Sequence, residues 1–240
     1  MNIIKKTLLM LGMLIQHDNK SKILFYHDVF DNIRNTDMGT PLEKFKEHLE
    51  AIRKNGFEIV TRIGKPEKQV QICFDDGFRG VWECRDFFYT QSWRPTIFIA
   101  VDLIGKAGYL AATEIIELQQ HGFIFQSHAW SHEVLTDFHG EALVHEIADS
   151  KKYLSDLLGR EVDELCFPVG YFSDEVLNCC FKSGYKKLYS SIPGNYDTPV
   201  FPNVVRRNLV QFSSALEVRW ILKGALIPFA GRYYRMHYHS

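Results

Sequence analysis

A single α/β domain closed as a β/α barrel is what this sequence predicts, on three observations. Short strand-like apolar runs alternate with amphipathic helical stretches from residue 20 onward. No repeat, low-complexity tract or Pro/Gly/Ser-rich linker interrupts that alternation. At 240 residues the chain can build one large core, and barrels of this kind commonly reach such a length undivided. Alternation of this sort implies a mostly parallel sheet covered by helices.

The elements follow in order. "KILFYH" (22 to 27) reads as a strand, and a helix from 42 to 55 is stopped by Gly56. "FEIVT" (57 to 61) and "VQICF" (70 to 74) read as strands, followed by a helix near 79 to 91. "TIFIAV" (96 to 101) precedes a helix from 113 to 120 that Gly122 stops, and "FIFQSH" (123 to 128) is the next strand. A longer helix over 141 to 158 carries Leu143, Ile147, Leu154 and Leu158 at helical spacing and ends before Gly159. Then come "ELCFP" (164 to 168), a helix near 173 to 183, "KKLYSS" (186 to 191) and a last helix around 215 to 223.

The first residues stand apart. "MNIIKKTLLMLGMLIQHDNK" has a basic start, Lys5 and Lys6, and an apolar run from Leu8 to Ile15. That run is shorter than the roughly 20 apolar residues a membrane span needs, and the small residues of a signal cleavage site do not follow it. We therefore divide the chain into an N-terminal apolar segment, 1 to 20, and a barrel, 21 to 240, with a helical tail. The segment is expected to pack on the domain or to make peripheral contact with a membrane face.

Composition narrows the function classes. Hydrophobic residues at 46% and charged residues at 24% describe an ordinary folded body. A net charge of -1 lacks the basic excess of nucleic-acid binders, so nucleic acid is not expected as a partner. The 5 cysteines (Cys73, Cys84, Cys166, Cys179, Cys180) lack CxxC spacing and read as buried thiols in a reducing compartment. The expected location is the cytoplasm or the periphery of the inner membrane face, with secretion as the alternative.

In β/α barrels the working groups sit where strands end and βα loops begin. Several unusual residues of this chain occur there: His27 after "ILFY", Asp75 and Asp76 after "ICF", His128 after "FIFQS" and Pro168 after "LCF". Adjacent buried carboxylates repel and are costly to desolvate, so a cation is required beside them. "SHAWSH" puts His128 and His132 four apart, a spacing that on a helical turn brings both imidazoles to one ion. With one carboxylate they form a two-His, one-carboxylate set with positions left for water and substrate, while the other carboxylate is near enough to act as a base. Either motif alone is more often a core or surface histidine pair, or a capped turn. Together, at strand ends of an α/β chain, they point to a metal site. His17, His48, His121, His139 and His145 have no partner motif and read as solvated or structural.

"CFDDGF", "SHAWSH" and "CFPVGY", in that order, resemble the first three motifs of the polysaccharide deacetylases, the carbohydrate esterase family 4 or NodB-homology domain, a distorted (β/α)7 barrel. The resemblance covers roughly residues 22 to 212. "ILFYHDV" and "FKEHLEAIRKNGFEIVT" are similar to the circularly permuted branch containing the poly-N-acetylglucosamine deacetylases, in which the histidine motif precedes the Asp-Asp motif. The resemblance implies Asp75 as catalytic base, Asp76, His128 and His132 as ligands of a divalent ion, and His27 as general acid. The ion implied is Zn2+, with Co2+ or Ni2+ as alternatives. The third motif, Pro168, Val169, Gly170 and Tyr171, would hold the oxyanion through the Val169 backbone N–H, and Trp130 and Tyr171 could stack on a sugar ring or equally pack in the core.

These roles fit the hydrolysis of an amide, which needs an activated water, a polarised carbonyl and a proton for the departing amine. A divalent ion serves the first two needs, and an imidazole, which titrates near neutrality, can serve the third. Two departures stand out. Cys166 occupies a position that is often arginine in the family, so the partner that orients the base must come from elsewhere, Arg206 or Arg207 in "VVRRNLV". The fourth, acidic and tryptophan-containing motif is not identifiable. The tail "RYYRMHYHS" carries His237 and His239 as alternative acids.

The expected activity is removal of acetyl from an N-acetylated sugar in a polysaccharide or glycolipid precursor. A non-catalytic carbohydrate-binding module on the same fold is the alternative of a different class, and a hydrolase of O-acetyl esters or of non-sugar C–N bonds is a third. Retention of base, acid and ligand set together favours an enzyme.

Overall fold

The computed structural model describes residues 3–15 and 17–239. A first helix, α1 (Ile3–Ile15), precedes β1 (Lys22–Tyr26), the short pair β2 (Asp28–Phe30) and β3 (Gly39–Pro41), and α2 (Leu42–Lys54). Next come β4 (Glu58–Val60), β5 (Gln69–Phe74), α3 (Gly80–Glu83), α4 (Arg85–Tyr89), β6 (Thr96–Ile99), α5 (Ala112–Gln120) and β7 (Ile124–Ser127). The second half holds α6 (Gly140–Val144), α7 (Ser150–Leu158), β8 (Glu164–Cys166), β9 (Phe172–Ser173), α8 (Asp174–Lys182), β10 (Lys187–Tyr189), β11 (Val204–Val205), β12 (Asn208–Leu209), α9 (Ala215–Leu222), α10 (Ala230–His237) and β13 (Tyr238–His239).

Nine strands form one parallel sheet in the order β11-β10-β8-β7-β6-β5-β1-β12, with β4 on β5. Its two ends, β11 and β12, are consecutive in the chain and separated only by Arg206 and Arg207. One short run of backbone thus pairs with β10 through Val204 and with β1 through Asn208 and Leu209, and so draws the sheet into the distorted barrel that the sequence predicts. Alternate residues face opposite sides of such a sheet. Ile23, Phe25, Cys73, Phe98, Cys166, Tyr189 and Val205 meet in one buried cluster that fills the lumen. Leu24, Tyr26, Ile72, Phe74, Ile97, Leu165 and Leu188 join the larger core beneath the helices.

Two helical expectations are refined. The stretch near 79 to 91 is two short helices broken at Cys84, where φ -95 and ψ 13 leave the helical basin. The long helix over 141 to 158 contains a π-helical turn at His145–Asp149, a distortion that often marks functional sites. The tail beyond 223 is ordered as α10 and β13, and β13 pairs with β9. The 5 cysteines are all free thiols; Cys73, Cys84, Cys166 and Cys180 are buried as expected, whereas Cys179 is half-buried.

Candidate active site

The strand-end residues converge because their parity is that of the lumen. Along β1, Ile23 and Phe25 point inward, so His27 does too; along β5, Cys73 precedes Asp75 by two; on β11, Val205 precedes Arg207 by two. The ladder also continues past the strand ends. The Asp75 N–H donates to Tyr26 O (3.0 Å), that of His128 to Ile99 O (2.8 Å) and that of Phe167 to Tyr189 O (3.2 Å). A cavity of about 430 Å³ opens above this rim, lined among others by His27, Asp75, Asp76, His128, His132 and Arg207.

Arg207 is the cation that burial of Asp75 requires. Its guanidinium is fully buried and forks onto the carboxylate, Nη1 to Oδ1 at 2.6 Å and Nη2 to Oδ2 at 2.9 Å. Nε donates to Ser190 O (3.1 Å), and the guanidinium plane lies 4.1 Å from the Phe25 ring centroid. Nη2 also donates to Cys166 Sγ at 2.9 Å. Burial alone would raise the Asp75 carboxyl; the Arg207 charge outweighs it and holds the group below the usual carboxylate value. Arg206, also expected as an orienting group, is not one: it donates to Thr198 O (2.7 Å) and Pro193 O (3.3 Å), away from the lumen. The alternation that puts Val205 and Arg207 inside puts Arg206 outside.

Asp76, His128 and His132 form a compact set whose ligand atoms all lie within 4.8 Å of one another. His128 Nε2 is 3.2 Å and His132 Nε2 2.9 Å from Asp76 Oδ1. Ligands of a tetrahedral zinc ion stand roughly 3.3 Å apart. His128 Nδ1 donates to Cys166 O (2.7 Å), which fixes the tautomer and leaves Nε2 as a lone pair facing the carboxylate. Two acceptors confront each other there, and Asp76 Oδ1 is buried without a hydrogen-bond partner. A divalent ion between them would satisfy both. When both rings are protonated instead, their Nε2–H groups donate to Asp76 and, against the cost of burial, hold its carboxyl far below its ordinary range. Asp75, His128 and Cys166 make a second cluster of ligand-type atoms, in which Arg207 already supplies the positive charge.

The two histidines do not share a helical face, as the i, i+4 reading expects. Residues 128 to 132 are a loop that turns twice through the left-handed region, at Ala129 (φ 64) and His132 (φ 70). Glu146 clamps it: Oε2 accepts from the N–H groups of Trp130 (3.1 Å) and Ser131 (3.0 Å). Glu146 belongs to the π-helical turn, and nothing in the sequence singles it out.

Asp76 (φ 70) and Val169 (φ 58) are also left-handed. For a β-branched valine this is a strained conformation costing about 1–3 kcal/mol, concentrated at the cavity wall. Of the third motif, Val169 and Gly170 line the cavity, whereas Pro168 is buried behind them. Tyr171 lies against His237 and His239, each with ring centroids 5.3 Å away, and lines a neighbouring cavity. Trp130 packs on His145 and Tyr153 outside the main cavity. Neither aromatic is therefore placed to stack on a sugar in that cavity; each fills a gap between helices or loops.

His27 lines the cavity, and its Nδ1 donates to Gln211 Oε1 at 2.6 Å, while its backbone N–H donates to the same oxygen at 3.0 Å. That contact fixes Nδ1 as a protonated nitrogen, turned toward Gln211. His237 lines the cavity as well, with Nδ1 bonded to Tyr233 O at 2.9 Å. His239 lines only the neighbouring cavity. His48, expected to be solvated or structural, is structural: it is buried between the Tyr26 hydroxyl (3.0 Å) and Ser213 O (2.9 Å).

Comparison with known proteins accords with this arrangement. The sequence profile described as Polysaccharide deacetylase matches residues 62–188. A Bacillus subtilis (strain 168) protein named "Putative polysaccharide deacetylase YxkH" is 27% identical over 186 residues, which cover 73% of this chain and 66% of that protein. Among solved structures, the Streptococcus pyogenes deacetylase PplD in complex with acetate superposes with a TM-score of 0.74 at 19% identity, over 85% of this chain and 98% of that one. IcaB from Ammonifex degensii does so with a TM-score of 0.74 at 18% identity, over 86% and 98%.

Proposed function

This chain belongs to the polysaccharide deacetylase family, and from that premise we propose that it hydrolyses the N-acetyl group of an N-acetylated sugar in a polysaccharide or glycolipid precursor. The observation that carries the proposal is the buried pairing of a histidine lone pair with the partnerless Asp76 Oδ1, beside a carboxylate kept ionised by Arg207. A carbohydrate-binding module has no use for that combination.

Asp76, His128 and His132 would hold a divalent ion, with zinc first and cobalt or nickel as alternatives. When bound, the ion supplies the positive charge that activates a water and polarises the acetyl carbonyl. Asp75 accepts a proton from the attacking water, and Arg207 keeps that carboxylate ionised and fixed in orientation. The Val169 backbone N–H, on the cavity wall, is assigned to the developing oxyanion. His27 gives the Nε2 proton to the departing amine while Gln211 fixes its ring. His237, in the same cavity, is the competing acid.

Acetate release from N-acetylated chito-oligosaccharides, with and without chelator, tests the reading. Release that a chelator stops and a divalent ion restores is expected. Release indifferent to chelator, or bound oligosaccharide with no turnover, would overturn it.

A further inference from the structure

The cavity above the rim does not end at the polar residues. It continues into an apolar groove of about 280 Å³, and Leu9, Leu226, Tyr233 and Met236 line both. Helix α1 and helix α10 form its walls. The inner side of α1 is docked: Leu9 is buried, and a Cβ on Gly12 would stand 2.2 Å from Ala225 O, so only glycine permits this approach. The outer side is apolar and uncovered among the described residues, with Leu8 45%, Leu11 47%, Leu14 66% and Ile15 74% exposed. An uncovered apolar helix face belongs against a core or a lipid phase, and among the described residues no helix is long and apolar enough to cross a membrane. Leu209 and Val169, also exposed, line the neighbouring polar cavity.

Charge on this face has one sign. Arg232 lines the groove and Arg235 follows on the same helix, both exposed; α10 carries no acid, and none lines the groove. A long neutral polysaccharide would need neither an apolar channel nor unpaired cations beside it.

Resting on the deacetylase reading above, we propose that the substrate is lipid-linked: an N-acetylated sugar joined through a phosphodiester to a long-chain lipid, presented at a membrane surface. The acetamido group enters the polar cavity, the lipid leaves along the groove between α1 and α10, and the phosphate meets Arg232. The outer face of α1 then rests in the interfacial layer that holds the lipid.

The test uses the full chain and flotation with phosphatidylcholine vesicles, plain or doped with polyprenyl phosphate. A hydrogen-bonded cation–phosphate contact predicts about tenfold tighter binding to the doped vesicles. Arg232→Gln should remove that gain, and Leu8→Glu, at an exposed position that folding does not need, should weaken binding to both vesicle types. Equal binding to plain and doped vesicles would overturn the proposal. So would an equal gain from phosphatidylglycerol at matched charge, which would mark a general anionic-membrane contact. Acetate release from soluble chito-oligosaccharides is measured on the same preparation. Release there without preference for doped vesicles removes the lipid groove and keeps the deacetylase; preference without release from any sugar keeps the groove and removes the activity.

Discussion

Replacing Arg207 by leucine is the sharpest perturbation this structure offers. Leucine keeps apolar volume against the Phe25 ring, 4.1 Å from the guanidinium carbon, and deletes the fork at 2.6 and 2.9 Å that neutralises Asp75. Breaking a buried ion pair from one side costs about 3–5 kcal/mol, because the remaining charge is stranded. The chain can escape part of that cost by protonating Asp75. A desolvated carboxyl without its partner rises by up to roughly 3–5 pH units, which makes it neutral at pH 7. The base is then lost, and with it about 10² to 10⁴ in rate. Urea unfolding reads the first effect. The pH profile of kcat/KM for acetate release reads the second: its acid limb should move toward alkaline pH, with activity partly returning as pH rises. Arg206→Leu, one residue away and outside the lumen, should change stability by no more than about 1 kcal/mol and leave the profile unmoved. An Arg207→Leu protein as stable as the parent, with the acid limb in place, would refute the assignment of Arg207 as the partner of the base.

The double variant His128→Ala, His132→Ala should lose stoichiometric divalent-ion binding by elemental analysis, whereas Asp75→Asn should keep the ion and release no acetate; ion retained by the double variant would remove the metal site. His27→Ala should lower turnover by about 10² or more with His237→Ala near the parental rate, and the reverse ranking would transfer the acid role to the tail. Asp28 is fully buried, and desolvation pushes its carboxyl up to about 7 from 3.8. The native state therefore binds more protons than the unfolded one between about pH 4 and 7, so this group's contribution falls as pH rises across that window, by about 4 kcal/mol in total. Asp28→Asn should flatten that slope in unfolding measurements at stepped pH, and an unchanged slope would show that Asp28 does not titrate in this window.

Much of the site was legible locally. The period of two along "ILFYH" and "ICFDD" tells which residues enter the lumen, and the repulsion of adjacent acids announces a cation before any coordinates exist. The same alternation, counted from Val205, would have chosen Arg207 over Arg206 had the two-residue strand been recognisable. It was not, since a strand that short leaves no periodic signal. The His128 and His132 pairing was anticipated for the wrong local reason: a clamped loop, not a helical face, brings the rings together.

The alternation of strands and helices and the chemistry of the rim can be read along the chain, because side-chain period and residue type are properties of sequence neighbours. Which charge neutralises which depends on the folded arrangement. Arg207 and Asp75 are 132 residues apart, and Gln211 and His27 are 184 apart; such pairs exist only once the barrel closes and burial makes an unpaired charge too costly to leave. The apolar walls that α1 and α10 raise beside the cavity, one from each end of the chain, have the same origin.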